Sequence, residues 1–181
     1  MSGVAVRVLE EQAMRTLVTD VSRTGNTRKV AEAIFDGITG DKDMKELRQV
    51  ESLDGYDLTF VGFPIEERFS PAEPAATFLR RPEVAGRPIA LFITHGASDD
   101  LPELQGWLDH CAAAASQLEL VGVFHCQGEL SEQMAQKMQV SKDERVVAWA
   151  NTRESGIGQP DAASLQRAKR WALEMVAARR R

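Results

Sequence analysis

Cysteine is scarce in this chain: Cys111 and Cys126 are the only two among 181 residues. Two thiols cannot build a disulfide framework, and so low a count suits a reducing compartment. Basic charge is not in excess. The formal net charge is −5, which gives a nucleic-acid partner little electrostatic support. Long apolar runs are missing as well, so neither a signal peptide nor a membrane-spanning helix is expected, and the expected location is the cytoplasm. Tyrosine occurs once, at Tyr56. A flat aromatic ligand would therefore have to be held by other side chains. What is present is an ordinary globular composition, 43% hydrophobic and 27% charged, in a length that fits one domain with a full core.

Strand-like and helix-like segments alternate along the sequence, which argues for a parallel sheet covered by helices on both faces. A first strand is read at 15–21 and a helix from near Thr27 that buries Val30, Ile34 and Ile38, with Gly40 as its stop. A second strand with a poor pattern falls within 44–50. The third and fourth, 57–63 and 88–94, are nearly unbroken apolar runs, as strands buried on both faces are. Pro71 and Pro74 open a short helix carrying Phe78 and Leu79. A further helix over 101–117 carries Leu104, Trp107, Leu108, Cys111 and Ala115 on one stripe, and a fifth strand follows at 118–125. Asp161 is placed to cap the last helix. Between them, 129–155 holds two short helices, one capped by Ser131 with Met134, Ala135 and Met138 inward, the other over 143–152.

The most informative stretch joins the first strand to the first helix: Ser22-Arg23-Thr24-Gly25-Asn26-Thr27. Four of these six carry a hydroxyl or amide. Glycine lets backbone approach a ligand closely, and the following helix aims its free N–H groups and positive dipole end at the same place. Strand, loop and helix N-terminus together make an anion site. A capping role alone needs only one such residue. A nucleoside-triphosphate loop needs a lysine after its second glycine, but Asn26 follows Gly25. The dinucleotide pattern of three spaced glycines is absent too, because Gly25 stands alone.

This loop resembles the phosphate loop of the flavodoxin family, [ST]-x-T-G-N-T, at every fixed position: Ser22, Thr24, Gly25, Asn26 and Thr27. The resemblance extends through 58–64, 90–97 and 122–128 and covers roughly residues 14–178. It implies a flavodoxin-like doubly wound α/β fold: a five-stranded parallel sheet of order 2-1-3-4-5 in three α/β/α layers. Residues 14–181 would form the FMN-binding domain, and 1–13 a weakly ordered extension in front of it. Ligands in such sheets sit at the carboxyl ends of the strands, at the switch point of strand order. The resemblance therefore implies FMN as cofactor, its phosphate held by Ser22, Arg23, Thr24, Gly25, Asn26 and Thr27. Its ring would lie against Gly62, Phe63, Pro64 and Phe69 after the third strand and Thr94, His95, Gly96 and Ala97 after the fourth.

The tryptophan–tyrosine sandwich common in flavodoxins is missing from the matching loops, which leaves Phe63, Phe69 and His95 as ring contacts. In many flavodoxins a peptide of the third-strand loop, often at a glycine, flips on reduction. Residues 64–71 contain no glycine, so a flip to positive φ is expected to be unfavourable here. Two His-Cys dipeptides, His110-Cys111 and His125-Cys126, each offer at most one metal ligand readily, because adjacent side chains point apart. No metal site is expected, and Cys126 reads as a buried thiol. No acid–base pair or nucleophile triad emerges, which fits a protein whose cofactor carries the chemistry. The expected function is FMN-binding electron transfer with a redox partner protein: a reductase, a ferredoxin-type donor or an acceptor enzyme. Glu66, Glu67, Asp99, Asp100 and Glu103 would steer a basic partner. An FMN-dependent oxidoreductase acting on a small substrate, with 129–155 as pocket wall, is the alternative. A module that has lost flavin is a third reading, disfavoured by the intact loop. The chain is expected as monomer or homodimer.

Overall fold

Apolar runs separated by polar turns become five parallel strands: β1 (Arg15–Asp20), β2 (Asp41–Glu46), β3 (Leu58–Pro64), β4 (Pro88–His95) and β5 (Glu119–Gln127). They lie in the order β2-β1-β3-β4-β5. The computed structural model describes residues 14–180, so the expected extension over 1–13 lies outside the described residues. Six α-helices stand among the described residues: α1 (Asn26–Gly37), α2 (Glu73–Leu79), α3 (Leu104–Ala113), α4 (Glu132–Gln139), α5 (Glu144–Asn151) and α6 (Ala162–Arg179).

The sheet divides the core in two. On one face α1 and α6 cover Val18, Phe60 and Phe92, with Val30, Ile34, Ala168 and Ala172 buried between the layers. On the other, α2 and α3 cover Leu17, Val61, Phe63 and Ile93 with Phe78, Leu104, Trp107 and Leu108. Alternation of side chains along each central strand feeds both cores, which is why β3 and β4 read as continuous apolar runs.

The bounds of β2 and α3 and the buried face of α4 differ from the sequence reading. β2 begins at Asp41 and ends at Glu46, earlier than expected, and a single 3₁₀ turn takes up Leu47–Gln49. Its pattern is poor because it is an edge strand of charged residues: Asp43 accepts from Tyr56 Oη at 2.7 Å and from Arg15 Nη2 at 2.7 Å. Lys42 donates to the last carbonyls of α1, Phe35 and Ile38. α3 is shorter than 101–117, running from Leu104 to Ala113 with turns on either side. In α4 only Ala135 is buried, and Met134 stays exposed rather than packing inward. The caps fall where expected: Ser131 Oγ accepts from Met134 N, and Asp161 Oδ1 from Ser164 N.

Candidate functional site

β1, β3 and β4 all end on one side of the sheet, and the loops leaving them enclose a cleft of about 410 Å³. On one wall lie Arg23, Thr24, Asn26 and Thr27, on the second Pro64, Ile65, Glu66, Arg68 and Phe69, and on the third Thr94, His95 and Gly96. Gly25 holds φ at 89°, a left-handed conformation that a side chain would strain, and with it the loop turns into α1. No side chain caps α1. Ser22 Oγ instead accepts from Gly25 N at 3.1 Å, which tightens the loop itself. The dense run of capping-type residues is thus not spent on capping, and the helix N-terminus is left to another acceptor.

Two loop residues tie the cleft together. Thr27 Oγ1 and Thr94 Oγ1 share a buried hydrogen bond of 2.8 Å, locking the start of α1 to the end of β4. Asn26 Nδ2 donates to Glu129 O at 3.0 Å. That approach requires the glycine at 128, where a Cβ would stand 2.7 Å from the Asn26 amide nitrogen. Across the mouth, Arg23 pairs with Glu66 at 2.8 Å.

The family-model comparison matches a flavodoxin domain over residues 17–172. The chain belongs to the flavodoxin domain family. A curated flavodoxin-like domain-containing protein, BilS of Clostridioides difficile (strain CD3), is 27% identical over 173 residues, 90% of this chain and 97% of that protein. Among solved structures, oxidised flavodoxin 2 from Bacillus cereus superposes with a TM-score of 0.58 at 16% identity, covering 91% of this chain and 99% of its own. A flavoprotein in complex with FMN from Lactobacillus acidophilus NCFM gives 0.51 at 23% identity, covering 62% of this chain and 93% of its own. These structural likenesses show the flavodoxin fold, and the sheet order agrees with it.

Of the residues read from the flavodoxin pattern, Arg23, Thr24, Asn26, Thr27, Pro64, Phe69, Thr94, His95 and Gly96 line the cleft. Ser22 and Gly25 face a second hollow behind the loop, beside Asp20 and Arg28. Gly62, Phe63 and Ala97 do not line the cleft. Phe63 and Ala97 are fully buried in the core. Gly62 leaves room for Phe92, whose ring would stand 1.9 Å from any Cβ there. Cys126 is buried on the α1–α6 face, and its thiol is pushed up to about 12 by burial.

The loop after β3 departs from expectation. Arg68 and Phe69 already hold left-handed φ values of 58° and 56° without glycine. The surrounding packing stabilises them: the Phe69 ring stacks on Trp107 at 4.2 Å and lies under the Arg145 guanidinium at 4.8 Å. A positive φ is therefore already present in this loop, at Arg68 and Phe69.

The sequence places 129–155 as a pocket wall only in the alternative reading, and gives Met134 and Met138 an inward helix face rather than a place in a site. The structure brings Glu129, Leu130, Met134, Met138, Val146 and Trp149 to the fourth wall. The Trp149 indole nitrogen is buried without a partner among the described residues. It packs against Gly96, where a Cβ would stand 3.1 Å away.

Electrostatically, two groups stand out. His95 is 3% exposed, and burial holds it neutral with its pKa lowered to about 4. Its Nδ1 lies 3.0 Å from Ala97 O and its Nε2 3.1 Å from His125 Nδ1. Asp20, at the end of β1, has its side chain fully buried, and desolvation raises its pKa to about 6. Arg28 Nη2 is 3.2 Å away, but neither carboxylate oxygen has an aligned donor among the described residues.

Proposed function

We propose that this protein binds FMN non-covalently in the cleft and serves as an electron-transfer flavoprotein. The observation that carries the reading is the uncapped N-terminus of α1 behind Thr24 and Asn26, opening onto a cleft of the size small-ligand sites have. The residues present fit such a group. Thr24 and the first amides of α1 would receive the phosphate, Arg23 would add charge at the mouth, and Pro64, Phe69, His95 and Gly96 would flank the ring. Bound flavin supplies the capacity to accept and pass on electrons. The chain's own part is to bind the phosphate, orient the ring and exclude water with the apolar wall of Met134, Met138 and Trp149. The redox partner would be a reductase, a ferredoxin-type donor or an acceptor enzyme.

One observation favours a second reading, an FMN-dependent oxidoreductase acting on a small substrate. The α4–α5 segment gives the cleft a fourth, apolar wall beyond the three strand ends that define the fold. A carrier needs a separate reductase, whereas such an enzyme turns over substrate or nicotinamide alone, and NAD(P)H oxidation with added FMN separates the two. The binding reading itself is tested by fluorescence titration with FMN and riboflavin. Loss of several charge-assisted hydrogen bonds of roughly 1.5–3 kcal/mol each should weaken riboflavin by orders of magnitude. Equal affinities would overturn the phosphate assignment.

A further inference from the structure

We propose that His95, Asp99 and His125 form a binding site for a divalent transition-metal ion, which shares His95 with the cleft wall but is argued from these three side chains alone. The sheet register brings the two imidazoles together. His125 on β5 is paired with Ile93 on β4, two residues before His95, so both side chains stand on the same face of neighbouring strands. Asp99 lies four residues beyond His95, in a turn that follows β4. Adjacent His-Cys pairs do not make this site. Its two histidines are 30 residues apart in sequence and converge through parallel pairing, while Asp99 is a local neighbour of His95.

The donor spacings suit a metal. Nε2 of His95 is 3.1 Å from Nδ1 of His125 and 3.7 Å from Oδ1 of Asp99, and the latter two atoms are 4.0 Å apart. The point equidistant from three atoms so spaced lies about 2.1 Å from each, the length of a zinc–imidazole or zinc–carboxylate bond. A small inward turn of the half-exposed Asp99 carboxylate lifts that point out of the donor plane and opens a fourth position to water. Such an open three-ligand arrangement of two histidines and a carboxylate suits zinc, iron(II) or cobalt(II) rather than magnesium or calcium, which prefer all-oxygen ligands.

The outer shell is built as well. His95 Nδ1–H donates to Ala97 O at 3.0 Å, which fixes the tautomer that leaves Nε2 as the ligand atom. The His95 side chain is fully buried, so its ring cannot swing away, while His125 and Asp99 are partly exposed and give the ion a way in. Without metal, His125 Nδ1–H donates to His95 Nε2. Metal binding replaces that hydrogen bond. The His125 proton moves to its other ring nitrogen, and no net proton need be released by either neutral imidazole.

The test is calorimetric titration of the untagged full chain, stripped with chelator, with zinc chloride, with elemental analysis after dialysis. One zinc per chain is expected, with no competition from millimolar magnesium. His125→Ala and Asp99→Asn should each weaken binding by roughly 100-fold or more, since loss of even an outer-shell partner costs 10–100-fold. His110→Ala, altering a histidine that contacts Ser70 on a different surface, should leave zinc binding unchanged. Asp99→Asn changes an exposed side chain and keeps the fold testable if His125→Ala does not fold. Absence of stoichiometric zinc in the wild-type chain would overturn the site and leave a hydrogen-bonded histidine pair. Binding retained in Asp99→Asn, or equal binding of magnesium, would overturn it too.

Discussion

Thr24 and Asn26 sit two residues apart yet have different tasks. Thr24 is exposed on the cleft wall, while Asn26 holds the 129 loop through its hydrogen bond to Glu129 O. Thr24→Ala should therefore lower FMN affinity with an unchanged melting temperature. Asn26→Ala should lower both, the stability by about 1 kcal/mol for one lost hydrogen bond. Parallel thermal melts and flavin titrations check the contrast, and a fall in melting temperature alone for both would make them structural. Asp20 supplies a pH dependence. Its folded-state pKa is raised to about 6, so between roughly pH 4 and 6 the folded chain binds more protons than the unfolded one. Stability contributed by this group is fully present below that window and declines as pH rises through it. Asp20→Asn should flatten the urea midpoint across the window and remove a penalty on the order of 2–3 kcal/mol above it. An unchanged slope would mean that Arg28 compensates the charge completely.

Among the elements, α4 and α5 distinguish this chain from a bare five-strand, four-helix frame. The segment that carries them is tied down by Asn26 to Glu129 O, Gln127 to Ser155 Oγ and Ser98 N to Thr152 Oγ1, with Trp149 in the α3-side core and Leu130, Met138 and Val146 packed against it. Gly128 is the tightest of these, because a Cβ would intrude to 2.7 Å of Asn26. Gly128→Ala should push the segment away from the phosphate loop. Overpacking of this kind costs typically about 1–3 kcal/mol. Limited proteolysis should then cut within 129–155 before the sheet core. The same elements explain the strained loop after β3: Phe69 is held by Trp107 of α3 and Arg145 of α5, so its left-handed backbone depends on contacts from elements distant in sequence.

For the whole molecule, stability rests on two cores meeting at β3 and β4, and Gly62 is the glycine with the closest approach, on the α1–α6 face. Phe92 lies across it on the neighbouring strand, with the position of a Cβ only 1.9 Å from its ring. Gly62→Ala should destabilise the chain by at least the about 1–3 kcal/mol typical of core overpacking. A urea midpoint shift with unchanged m-value would report it. Unaltered stability would show that Phe92 has space to retreat. No helix of the described residues is long and apolar enough to cross a membrane.

Local periodicity alone determined most of the frame. The alternation of strands and helices, the buried β3 and β4, and the caps at Ser131 and Asp161 all depend on neighbours within a few residues. The phosphate-type loop was legible for the same reason, since its six residues act together as a contiguous stretch. β2 escaped an accurate reading because a charged edge strand buries too little to impose a pattern. Tertiary structure decided the rest: that Gly62 and Phe63 turn to the core, that α4 and α5 wall the cleft, that Arg68 and Phe69 hold positive φ, and that His95 meets His125. Each of these depends on segments separated by tens of residues. Their meeting is set by strand register and packing, which one-dimensional spacing does not encode.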